Sequence, residues 1–407
     1  MILQGASYIV TFDKDNTIIK NGGIVFDKKI LDIGDYKTLK KRYPNIKHIK
    51  AKKNSILLPG LINSHIHLEF SSNKTSLQYG NFISWLNSVM KYREKIIENS
   101  NTKCIQNELK NILKTGTTTI GAISSYGFDM NECINTPLNV VYFNEIIGSQ
   151  ANMIDTLLAD YKARIKNSME YKSDSFIPSI AIHSPYSVHP FLLREVLNIA
   201  KQNDLKVTSH FLESNEEKEW LESSSGNFLD FFQKHLNQNK SITTSKEFLN
   251  QFKNIKDLSF THCLKASKEE LNIIKELKAS INCCITSNRL LNNSVLNLDN
   301  LQNINYSIGT DGLSSNYSLN MFDELRNGLL VYKNKDINTL SYSLLKASTK
   351  GGAIALGLNK GELSINKDCD MILVNLPDEL KNPNSIYLNI ILHTKKVYKT
   401  IIGGQYV

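Results

Sequence analysis

Eight apolar runs of strand length, separated by amphipathic stretches, constrain this chain more than any other feature. The runs are ILLPGLIN (56–63), TTTIGAIS (117–124), NVVYFNEI (139–146), FIPSIAIH (176–183), LKVTSH (205–210), LSFTHC (258–263), ASINCCIT (279–286) and INYSIGTD (304–311). Continuous apolar runs mark strands buried on both faces, as in parallel sheets whose crossovers are helices. The intervening FLLREVLNIAKQN and KEELNIIKELK carry a helical apolar period. Eight such repeats predict a (β/α)8 TIM barrel over residues 58–361 in preference to an open doubly wound sheet. Both ends read instead as short strands and turns: YIVTF, IIKNGGIVFD and KILDIGDY at the start, DCDMILVN and KKVYKTIIGGQYV at the finish. They predict a small β-sandwich domain built from 1–57 together with 362–407. Asn359 and Lys360, near the barrel exit, read as solvated surface.

Several predicted strands end on a metal-ligand or acid/base side chain. In a barrel, the C-terminal strand ends share one mouth, so residues distant in sequence meet there. His65 and His67 are spaced i, i+2, and on an extended chain such residues point to the same side. His210 and Asp311, at the ends of the fifth and eighth runs, complete a nitrogen and oxygen donor set suited to a divalent ion, zinc first and ferrous iron second. Glu213 follows His210 by three residues, and His262 closes the sixth run. Expected substrate contacts are Trp85 and Glu69 after the first run, Glu145 ending the third, His183 ending the fourth, and Arg289 after the seventh. Arg289 is the candidate for gripping a substrate carboxylate.

The net charge of +9 raises the question of nucleic acid. The lysines are dispersed, however, with no arginine-rich helix, zinc-knuckle spacing or aromatic-basic signature, so no nucleic-acid partner is expected. The charge instead favours anionic small molecules. No run approaches the ~20 apolar residues of a membrane span, and MILQGASYIVTFDKDN lacks a basic stretch followed by an apolar one. The six cysteines have no framework spacing. A cytoplasmic location with no membrane partner is the expectation.

PGLINSHIHLEF, SHFLES, FTHC and IGTDGLSSN resemble the signature stretches of the amidohydrolase superfamily, in the branch that deaminates or dechlorinates aromatic rings. The resemblance spans essentially the whole chain. It implies a mononuclear site with His65, His67, His210 and Asp311 as ligands. The fourth run ends at His183 without the lysine that bridges two metals in binuclear relatives. It further implies that Glu213 protonates a ring nitrogen, that His262 polarises the attacking water, and that Asp311 also takes the water's proton. Within the branch, HLEFSSNKTSLQYGNFISWLNSV, SHFLESNEEKEWL and GTDGLSSNYSLNMFDELR most resemble the deaminases of the futalosine route of menaquinone biosynthesis. Their small-molecule substrate is an adenine nucleoside carrying a carboxyphenyl ketone. Deaminases of S-adenosylhomocysteine, methylthioadenosine or guanine and triazine chlorohydrolases are the alternatives. A homodimer is implied. A barrel kept only as an interaction scaffold would be expected to have lost a ligand, and none is lost.

Overall fold

The eight central runs form one parallel sheet: β1 (Leu61–Ile66), β2 (Thr117–Ser124), β3 (Asn139–Ile146), β4 (Phe176–Ile182), β5 (Val207–Phe211), β6 (Leu258–His262), β7 (Ser280–Cys283) and β8 (Tyr306–Ile308). Each pairs in parallel with its sequence neighbour. This is the computed structural model of the chain, and it describes residues 1–50 and 52–407.

Helices follow the strands and cover the outside of the barrel. The Pro190–Gln202 helix shows why the sequence folds so: His189 caps it by accepting from the Phe191 N–H, and Pro190 presets the first turn. Leu192, Leu193, Val196, Leu197 and Ala200 then recur on its buried face.

The barrel is closed between β8 and β1 by side chains more than by a ladder. Asn63 donates to Thr310 Oγ1 at 2.7 Å and accepts from the Thr310 N–H at 3.1 Å, while the Ser64 hydroxyl donates to the Ile308 carbonyl at 3.1 Å. The Asp311 N–H donates to the His65 carbonyl at 3.0 Å. Glycine is required at this seam. A Cβ on Gly309 would lie 2.8 Å from His65 Cβ, and one on Gly312 would lie 3.0 Å from His67 Cβ. The two glycines of IGTDG thus let the loop carrying Asp311 lie against the strand carrying both histidines.

The chain termini build two further sheets, one of four strands and one of six. Three readings of the sequence are corrected here. The run ILLPGLIN holds two strands, since Ser55–Pro59 pairs with Met371–Asn375 and Tyr8–Val10 in the terminal sheet. The chain enters the barrel only after Gly60, where a Cβ would meet Thr118 Oγ1 at 2.1 Å. The seventh run ends earlier than its hydrophobicity suggests, because Ile285–Asn292 is already helical. Lys360 is buried, not solvated: its ammonium donates to Asp370 at 2.6 Å, and Asp370 also accepts from Asn139 and from the Gly403 N–H. In addition, Ile386–His393 is a helix whose Ile386, Ile390 and Ile391 join the main core.

Candidate active site

The strand ends of the barrel surround a cavity of about 700 Å³. At its floor the Nε2 atoms of His65, His67 and His210 lie 3.1, 3.3 and 3.2 Å apart. Asp311 Oδ1 lies 3.7 Å from His65 Nε2 and 3.4 Å from His67 Nε2. Metal–nitrogen bonds of ~2.0–2.1 Å in a tetrahedron put the donors about 3.3 Å apart, so this cluster has the spacing of a coordination shell. The ring chemistry agrees. His210 Nδ1 donates to the His183 carbonyl at 2.7 Å, which leaves a lone pair on Nε2. Burial holds all three imidazoles below their usual pKa, His67 at about 3. Three neutral nitrogens facing one point repel one another unless a cation lies between them, and the residues therefore fit a divalent ion.

The supporting contacts hold this geometry. His65 Nδ1 rests 3.1 Å from Thr261 Oγ1, which also accepts from Asn282. Asp311 Oδ2 accepts from the hydroxyls of Ser287 and Ser315 at 2.7 and 2.6 Å, so Oδ1 alone faces the histidines. Burial pushes the Asp311 carboxyl up, but hydrogen bonding to His65 and the neighbouring imidazoles overcome it and leave it well below the usual range. His262 and Asp311 stand at φ 71° and 58°. Left-handed backbone at non-glycine residues is costly and clusters at functional sites. Here it turns each side chain off its strand end into the cavity.

His262 is buried, and its Nδ1 meets Asn288 Oδ1 at 2.8 Å. The amide oxygen can only accept, so the proton sits on Nδ1 and Nε2 is free, 3.6 Å from Glu213 Oε2. Burial, aided by the Asp311 charge, drives the Glu213 carboxyl well above its usual pKa. Its position is set from behind: the carboxylate of buried Glu217 accepts from the Leu212 and Glu213 N–H groups at 3.0 and 2.8 Å. Leu212, at φ 45°, supplies the bend.

The expected substrate contacts divide. Trp85, Glu145 and His183 line the cavity. Trp85 Nε1 donates to the Ser314 carbonyl at 2.8 Å. Glu145 accepts from the Ser125 hydroxyl at 2.5 Å through one oxygen, while the other is buried, 3.8 Å from His210 Nδ1, with no hydrogen-bond partner among the described residues; burial raises its pKa to about 7. His183 Nδ1 meets Ser187 Oγ at 2.6 Å, and burial lowers its pKa to about 4.

Glu69 and Arg289 are not among the lining residues. Glu69 is buried behind the wall, where it accepts from the N–H groups of Ser125, Tyr126 and Gly127 and so shapes the loop that supplies Ser125. Arg289 is exposed, because the helix carrying it buries Ile285, Asn288 and Leu291, leaving Arg289 on the outer face. The arginine that does line the cavity is Arg93, which sequence reasoning passed over. Its signal was available: Trp85, Leu86, Val89, Met90 and Arg93 recur at the spacing of one helical face.

The chain is similar to known proteins along its length. Residues 56–407 match the amidohydrolase family. It is 46% identical over 389 residues, 96% of either chain, to the aminodeoxyfutalosine deaminase of a Nitratiruptor species. It is 37% identical over 410 residues, 98% of either chain, to the adenosine deaminase of Helicobacter pylori. The crystal structure of Helicobacter pylori aminofutalosine deaminase in complex with methylthio-coformycin matches it with a TM-score of 0.96 at 36% identity, covering 100% of both chains.

Proposed function

This chain belongs to the amidohydrolase family, and on that premise we propose that it hydrolyses the exocyclic amine of an adenine nucleoside, with aminodeoxyfutalosine as its preferred substrate. It is a hydrolase acting on a C–N bond. The water oxygen bonds to the ring carbon bearing the amine, the C–N bond breaks, and the products are the 6-oxo nucleoside and ammonia.

One observation carries the assignment: two buried carboxyls of one cavity are pushed in opposite directions. Burial and the Asp311 charge drive the Glu213 carboxyl well above its usual pKa, while the hydrogen bond to His65 and the neighbouring imidazoles hold Asp311 well below its own. Environments that push two carboxyls apart in this way mark an acid and a base. Glu213 can protonate the ring nitrogen next to the attacked carbon, which makes that carbon electrophilic. Asp311 can take the first proton that water gives up and return it to the departing amine, while the hydroxyl proton of the adduct, lost as the 6-oxo group forms, restores the proton that Glu213 gave to the ring. His262, with its proton fixed on Nδ1 by Asn288, offers a free Nε2 to orient the water. His65, His67, His210 and Asp311 would hold one divalent ion, zinc before iron. Such an ion lowers the pKa of a bound water to roughly 7.

The finer substrate reading is supported by the 46% identical relative and by a cavity of about 700 Å³, which leaves room beside a nucleoside for a large 5′ substituent. Among the described residues no helix is long and apolar enough to cross a membrane. We place the enzyme in the cytoplasm as a homodimer; sedimentation as a monomer would refute the second point. The experiment for the whole reading is ammonia release across adenine nucleosides with varied 5′ groups. Aminodeoxyfutalosine should be turned over with the highest kcat/KM, and release from none of them would overturn the reading.

A further inference from the structure

The cavity's histidines and Asp311 converge at its floor, and its lining also holds one guanidinium, that of the exposed Arg93. Along the Phe82–Asn99 helix, Trp85 lies beside Ser314 and the Asp311 loop, while Arg93 is eight residues further on. At 1.5 Å per residue that separates the two backbone positions by about 12 Å. Between them Leu86, Val89 and Met90 line the wall. Tyr126, Ile147 and Met153 line the same cavity, and all three are substantially exposed. Exposed apolar side chains gathered at a cavity mouth mark where a ligand's apolar portion is covered.

Arg93 makes no ion pair among the described residues. It is nonetheless close to Tyr126: burial pushes that phenol up, and the Arg93 charge is the largest influence opposing it. Arg42, Arg164 and Arg326, by contrast, are each paired with a carboxylate. A planar fork left free beside apolar lining residues suits a carboxylate carried on an aromatic ring.

We infer that the outer end of the cavity is a subsite for an anionic aryl group, with the Arg93 guanidinium as its anchor. The subsite selects among 5′ substituents on the nucleoside, and in that respect it rests on the deaminase reading above. His235, which also lines the cavity and packs against Phe231, is the competing donor.

The test compares aminodeoxyfutalosine with methylthioadenosine, whose 5′ group is uncharged, in wild type, Arg93→Met and Arg93→Lys. Hydrogen bonds to charged groups correspond to about 10- to 150-fold in kcat/KM. The ratio of kcat/KM for the carboxylated over the uncharged nucleoside should fall by that factor in Arg93→Met and recover partly in Arg93→Lys. The KM for the carboxylated nucleoside should rise with ionic strength in wild type and lose that dependence in Arg93→Met, a change no structural role would produce. A ratio altered less than threefold, or a salt dependence that survives in Arg93→Met and vanishes in His235→Gln, would overturn the assignment while leaving the deaminase intact. Should wild type deaminate neither nucleoside, the deaminase reading fails by itself. Arg93 is then judged by titrating 3-acetylbenzoate and acetophenone against tryptophan fluorescence, and equal affinities in wild type and Arg93→Met would overturn it.

Discussion

Replacing Asn288 with leucine isolates the contact that fixes the tautomer of His262. Both residues are essentially inaccessible to solvent, so no water replaces the amide oxygen once it is gone. The Nδ1–H of His262, now 2.8 Å from that oxygen, is left as a buried donor without an acceptor, which costs about 1–3 kcal/mol. The ring escapes this cost by moving its proton to Nε2, the nitrogen that faces Glu213, and can then no longer accept from water. Asn288 Nδ2 is itself a buried donor with no partner. Leucine therefore removes one unsatisfied group while creating another, and stability should change little. The expected result is a fall in kcat/KM of about 5- to 150-fold, with metal content and thermal midpoint close to wild type. Ammonia-release kinetics, elemental analysis and a thermal melt read the three quantities. A variant within twofold of wild-type kcat/KM that retains its metal would show that the His262 tautomer is set by something else.

Three further outcomes follow from the same geometry. Glu213→Gln should keep the fold and the metal yet lose on the order of 10²–10⁴ in kcat; activity within about tenfold of wild type would place the acid elsewhere. Chelation should abolish activity, and about one equivalent of zinc or iron per chain should restore it, whereas a requirement for two would contradict the mononuclear site. Lys360→Met leaves Asp370 buried with only Asn139 and the Gly403 N–H as partners, so denaturant unfolding should lose about 3–5 kcal/mol. A loss below about 1 kcal/mol would mean that Asp370 is stabilised without the lysine.

The barrel was legible because parallel strands are buried on both faces and therefore stand out as apolar runs; β2 and β3 begin and end where the hydrophobicity does. The His-x-His spacing and the strand-end His210 and Asp311 were legible for a related reason. Side-chain alternation and the common mouth of a barrel bring such residues together whatever their separation in sequence. Other features depend on direction, which a sequence does not carry. Arg289 follows a strand end but sits on the outward face of its helix, and the cation that does line the cavity, Arg93, shares a helical face with Trp85, Leu86, Val89 and Met90, a spacing that reads equally well as ordinary packing on the core. Glu69 reads as a substrate contact and Glu217 as an ordinary exposed acid, yet each is buried because it satisfies backbone N–H groups of a bent loop. The polar barrel interior, where Thr208, Ser259, Asn282 and Ser307 bond one another, was hidden inside runs that read as apolar. ILLPGLIN looked like one strand because two sheets meet there with only Gly60 between them.

The most direct test of the central claim is a turnover of aminodeoxyfutalosine by the metal-loaded enzyme in ¹⁸O-labelled water, with the nucleoside product read by mass spectrometry and ammonia measured in parallel. The account requires one ammonia per nucleoside consumed and a 6-oxo product carrying one labelled oxygen. An unlabelled product, or nucleoside consumed without ammonia, would contradict it.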